Sequence, residues 1–131
     1  MYWPMRLPGR FFTLLSLDEM QPTPSYHALA MARRYTGEQI ASAYGNYSND
    51  LYILSTGYKG GYNVLLVNKA TTNRCLEFVV GEVAAEIVSG EVFSDIKPGS
   101  SPRKLSQEEL RDNKRTVCIP ERAIVGLSVR R

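Results

Sequence analysis

Two stretches rich in Tyr, Val, Ile and Leu, residues 51–56 and 62–68, flank Gly57-Tyr58-Lys59-Gly60-Gly61. Glycine reaches positive φ without a Cβ clash, so a chain that is β-prone on both sides of such a turn folds back as a hairpin. This commits the middle of the chain to antiparallel sheet. Residues 75–80, after the polar Thr71-Thr72-Asn73-Arg74, predict a further strand, and 51–80 together read as a three-stranded meander. Residues 82–93 are taken as strand: Val83 and Ile87 fit helical spacing, but Glu86-Ile87-Val88 and Val92-Phe93 suit β structure. Residues 116–119 and 123–129 are strands joined at Pro120-Glu121-Arg122.

Helix signals occur twice. Gln21-Pro22-Thr23-Pro24 breaks the backbone, and Ser25 is placed to cap a helix through Tyr26, Leu29 and Ala32 towards Ile40, Ala43 and Tyr44. Gly37 interrupts this run, giving one long helix or two short ones, with Gly45 as terminator. The stronger signal is Ser106 with Glu109 three residues on, a reciprocal capping box, with Leu105 and Leu110 as a hydrophobic staple. Glu108 at the start and Lys114 and Arg115 at the end complement a helix dipole. The expected fold is α+β, a largely antiparallel sheet with helices packed on one face. All 131 residues form one domain, with an extended arm at 1–9 set by Trp3, Pro4, Pro8 and Gly9.

With 44% hydrophobic and 22% charged side chains, such a chain builds a core without metal or disulfide staples. The apolar run at 11–17 is too short to span a bilayer and is followed by Asp18 and Glu19, with no small-residue cleavage site. Cytoplasmic residence is therefore expected, without a membrane partner. Cys75 and Cys118 then read as reduced, buried thiols, a disulfide between them being the alternative.

His27 is the one histidine, which removes paired-imidazole catalysis and any zinc site built on two histidines. Neither cysteine sits at a Gly-rich turn or helix start that would lower its pKa, and no G-x-S-x-G elbow is present. Gly57-Tyr58-Lys59-Gly60-Gly61 lacks the spacing of a phosphate loop. The expectation is no catalytic residue, no metal and no cofactor. A metal-independent enzyme would have to use surface carboxylates such as Glu77 or Glu86 with tyrosines.

The net charge of +3 is uneven: residues 103–131 carry eight basic and four acidic side chains, residues 1–102 eight and nine. Eight tyrosines, several near turns, supply rigid amphipathic contact area. These features favour a non-enzymatic module that binds another macromolecule, most plausibly a protein, as regulator, inhibitor or assembly component. The contact candidates are Trp3, Tyr47, Tyr58 and Tyr62. The alternative is a winged-helix or single-strand nucleic-acid binder with Lys59, Arg111, Lys114 and Arg115 on phosphate. Its helix-turn-helix would lie at 36–54, with Ala41 four residues before Gly45 and Leu51 and Leu54 turned inward. A tyrosine- and valine-rich patch is also compatible with a homodimer.

Overall fold

The computed structural model describes residues 21–43, 45 and 49–131. Among the described residues eleven strands run in chain order: β1 Gln39–Ala41, β2 Leu51–Tyr58, β3 Gly61–Asn68, β4 Arg74–Glu77, β5 Val79–Val80, β6 Val83–Ala84, β7 Glu86–Phe93, β8 Arg103–Lys104, β9 Leu110–Arg111, β10 Thr116–Ile119 and β11 Ala123–Arg130. They form a six-stranded sheet ordered β1-β2-β3-β11-β7-β8, a three-stranded sheet ordered β4-β10-β9 and the β5-β6 pair. Every strand pairing is antiparallel. The one helix among the described residues is α1, Pro24–Arg34.

This is a small β-sandwich, which corrects the expected α+β fold with helices on one face. Alternation along the strands explains it. Leu51, Val64, Leu66, Val125, Leu127, Val129, Ile87 and Val92 from the large sheet meet Val117 and Ile119 of β10 in one buried cluster. Leu76, Phe78, Val80 and Leu110 pack against its edge. The other face of the large sheet takes α1 over β11 and β7. Met31 and Tyr35 are buried there, and the His27 ring meets the buried Phe93 ring edge-on at 5.6 Å.

The hairpin forms as expected, with Leu51 opposite Asn68 and Tyr58 opposite Gly61, closed by Lys59 and Gly60 at φ +100°. The meander does not continue. The second neighbour of β3 is β11, paired from Asn68↔Ala123 to Tyr62↔Val129. The buried Asn68 side chain forms the corner: its amide nitrogen donates to the carbonyls of Thr72 (3.1 Å) and Pro120 (2.8 Å), and its oxygen accepts from the Ala70 N–H (3.1 Å). That bracket turns the chain out of the sheet, and β4 joins the opposite layer.

The two helix expectations fare differently. In the first, Thr23 is the N-cap, its hydroxyl accepting from Tyr26 N–H at 3.4 Å with Pro24 in the first turn, and the helix ends at Tyr35. Beyond it the chain crosses to the sheet edge. Gly37 N–H donates to the Thr56 hydroxyl at 2.7 Å, and Gly37 lies so close to the Gly57 carbonyl that a Cβ would not fit. Residues 39–41 therefore pair with β2 as a strand. The helix-turn-helix proposed for 36–54 is overturned, because its recognition helix is the first half of β2.

In the second, the capping box at Ser106 forms without its helix. Ser106 N–H donates to the Glu109 carboxylate at 2.8 Å, and Glu109 N–H donates to the Ser106 hydroxyl at 3.3 Å. Asp112, Asn113 and Lys114 then adopt φ of +52°, +55° and +65°, a left-handed turn that no right-handed helix contains. Thr116 and Val117 fold back to pair with Arg111 and Leu110. Non-local pairing with β10 overrides the local signal.

Cys75 and Cys118 are bonded to each other, correcting the expected pair of reduced thiols. They stand directly opposite one another in the β4–β10 ladder, on the side away from the core residues Val117 and Ile119. The tie closes a loop of sequence separation 43 that contains β7, a strand of the other sheet. No helix among the described residues is long and apolar enough to cross a membrane.

Candidate binding site

At the closed end of the β2–β3 hairpin lies a cavity of about 530 Å³. Tyr58, Lys59 and Tyr62 contribute from the hairpin, Gln39 from the start of β1 and Glu38 from the residue before it, Val80 from β5, and Arg131 from the residue after β11. The register builds this cluster. Pairing of Val129 with Tyr62 carries Arg131 past the turn, and pairing of Gln39 with Gly57 brings Glu38 beside Tyr58. Gly61 is required here: a Cβ would collide with the Val129 carbonyl and crowd the Tyr58 hydroxyl at 3.1 Å, so the phenol folds back over the turn.

The lining holds two cations, one carboxylate and two phenols. Such a set orients an anionic or hydroxyl-bearing group, with the tyrosine rings as apolar contact area. An apolar strip adjoins it. Tyr52, Leu54 and Tyr58 alternate onto one face of β2, and Ile40, opposite Thr56 on the same face, is 84% exposed. Lys69 holds its ammonium 5.2 Å from the centre of the Tyr52 ring.

Of the residues singled out from sequence, Tyr58, Tyr62 and Lys59 converge in this cavity. Trp3 and Tyr47 lie outside the described residues. Arg111, Lys114 and Arg115 belong to the β9–β10 hairpin and are exposed. The Lys114 carbonyl accepts from Ile87 N–H at 2.8 Å at the start of β7. Ile87 also pairs with Val129, so Lys114 stands at the same end of the sandwich as Lys59 and Arg131. Local sequence did not single out Arg131, Glu38 or Gln39, because only strand register places them.

The carboxylates proposed for an enzyme are not a pair. Glu77 lies in β4 of the small sheet, whereas Glu86 lies in β7 of the large one, bound to Arg130 at 2.8 Å. The hydrogen bond and positive charge of Arg130 hold the Glu86 carboxyl below its ordinary range, opposite to what a proton donor requires. Among the described residues no group of three or more His, Cys, Asp and Glu could hold a metal ion.

No family model matches the sequence, and no curated protein matches it. Solved structures with a similar fold include the glycoside hydrolase family 30 subfamily 8 xylanase Xyn30A from Clostridium acetobutylicum. It is 13% identical with a TM-score of 0.69 over 92% of this chain and 31% of that one. A GH30 endoxylanase from Clostridium papyrosolvens C71 is 12% identical with a TM-score of 0.66, over 89% of this chain and 30% of that one. At such identity the likeness is one of fold, and this chain spans less than a third of either xylanase.

Proposed function

We propose that this sandwich is a non-catalytic module that docks on another protein, as a regulator, inhibitor or assembly component. The observation that carries this is the junction of the Tyr58–Lys59–Tyr62–Arg131 cavity with the exposed strip of Ile40, Tyr52 and Leu54. The apolar strip supplies desolvation energy, while Lys59 and Arg131 receive an acidic side chain of the partner and fix its register. The similar xylanases carry this fold within a much longer chain, which supports a module working beside another protein body. The Cys75–Cys118 disulfide supports residence in an oxidising compartment rather than the cytoplasm.

Single-stranded nucleic acid is the second reading, favoured by the basic side chains Lys59, Lys114 and Arg131 gathered at one end. Ile40 and Leu54 count against it, since neither offers anything to phosphate.

The test is affinity capture from the source extract with the wild type, an Ile40→Ser/Tyr52→Ser variant and a Lys59→Glu/Arg131→Glu variant. Each is run with and without nuclease and at low and high salt. The expected result is a stoichiometric protein that survives nuclease and high salt and is lost from the apolar variant. Recovery of nucleic acid that disappears with salt would move the assignment to the second reading. Equal capture by all three proteins would remove the site.

A further inference from the structure

The two edges of the large sheet are built differently. At one, β8 consists of the cationic pair Arg103 and Lys104, and charge on a short edge strand resists pairing with another chain. At the other lies β1, where residues 37–43, Gly-Glu-Gln-Ile-Ala-Ser-Ala, carry Glu38 as their one charge. Ile40 at its centre is the most exposed large apolar side chain among the described residues. Hydrogen-bond phase sets what this edge offers. The two-residue turn makes Tyr58 and Gly61 a hydrogen-bonded pair, so Thr56 and Leu54 also turn their backbone groups to β3, while Gly57 and Ser55 turn theirs to β1. Gly57 and Ser55 lie opposite Gln39 and Ala41, whose backbone groups therefore face β2. The N–H and C=O of Ile40 are left pointing out of the sheet.

We infer that the occupant of this edge is a second copy of the chain, paired antiparallel about a two-fold axis that sets Ile40 of one copy opposite Ile40 of the other. The two residues exchange both of their backbone hydrogen bonds. In that register Gln39 stands opposite Ala41 and Glu38 opposite Ser42, so the two Glu38 carboxylates do not meet. A two-fold axis normal to the sheet joins outer face to outer face, and the exposed strip of Tyr52, Leu54 and Ile40 continues across the junction with an Ile40 pair at its centre. The cationic β8 edge is a poor acceptor for β1 in a head-to-tail chain, so the pairing closes at two copies. The inference rests on the reading of the Ile40 strip as a protein-contact surface and names what it contacts.

Sedimentation velocity of the intact oxidised protein over about 1–300 µM is expected to show a monomer–dimer equilibrium, weak because a short edge buries little area. Position 40 faces itself, so Ile40→Lys and Ile40→Glu each set like charges together, and each is expected to weaken association at least about fivefold. An equimolar mixture of the two variants is expected to recover the dimer as a mixed pair, a rescue that neither misfolding nor a different partner imitates. A wild type that stays monomeric, an Ile40→Lys protein that associates as tightly as the wild type, a mixture that stays monomeric, or open-ended oligomers would each overturn the inference. A monomeric wild type that still captures a different protein through Ile40 would overturn it and leave the docking reading standing.

Discussion

The ring of Tyr35 lies directly on the backbone of Gly126, leaving no space for a Cβ at position 126. Tyr35 follows the last residue of α1, and Gly126 sits mid-strand in β11 between β3 and β7, so this contact, with buried Met31 and the His27–Phe93 ring pair, seats the helix on the sheet. A glycine inside a central strand is otherwise a weakness, and here the aromatic ring covers it.

Gly126→Ala is therefore expected to destabilise the protein by about 1–3 kcal/mol, the cost of overpacking a closed core. In a urea-unfolding cycle with Tyr35→Ala, the double variant should lose less than the sum of the two singles. Strict additivity would show that the ring does not govern position 126.

Burial first, then the charge of Glu91 and a hydrogen bond to it, push the Tyr35 phenol up to about 12, with Arg34 opposing. The folded value exceeds the ordinary 10.0, so the folded state holds this proton more tightly. The resulting stabilisation is complete below the unfolded value and is lost as pH rises from about 10 through 12. Spectrophotometric titration at alkaline pH should show one late tyrosine, absent from Tyr35→Phe. If the variant retains the late step, the assignment fails.

Glu109 behaves in the opposite sense. Its hydrogen bond to Arg103 is the main cause lowering its pKa, with Ser106 helping and burial opposing. A depressed folded value means stability that is present above the ordinary 4.5 and lost as pH falls through the folded value. Arg103 is half exposed, so solvent screening limits the effect, and Glu109→Gln should cost about 0.5–1 kcal/mol at neutral pH. The wild-type advantage should vanish in acid, as chemical denaturation at two pH values would reveal.

Lys114 at φ +65° closes a turn of three consecutive left-handed residues. Lys114→Gly removes a Cβ penalty while adding chain entropy, for a net gain of up to about 1 kcal/mol. Lys114→Val should lose more than about 1 kcal/mol because a β-branched side chain resists that conformation. Thermal or urea melts of the two variants should move in opposite directions.

Much of this sandwich was legible as strands and little of it as topology. The hairpin at 51–68, strand character at 86–93 and the two strands after 116 follow from β-branched runs and turn glycines, which act locally. Which layer each strand joins depends on contacts far apart in sequence. The Asn68 bracket to Pro120 spans 52 positions, and no local pattern announces it. The Ser106 capping box shows the converse: its hydrogen bonds are formed as the residues require, yet they cap a turn because β10 claims the residues that follow. In the candidate site, Tyr58, Lys59 and Tyr62 were visible because a hairpin turn exposes its own side chains. Glu38 and Arg131 became their neighbours only through strand register.

Opening the Cys75–Cys118 bond, by reduction or by a double Cys→Ser change, should lower stability by up to about 4 kcal/mol, the chain-entropy value for a loop of this length. The bond also has a mechanical meaning. A pull applied at Gln21 and Arg131 would pass from β4 to β10 through sulfur, bypassing β7 and everything else in the ring. Unravelling under tension would then withhold about 14 nm of contour length, returned only when a reductant is added. A single-molecule stretching trace would record that difference as a shorter oxidised extension.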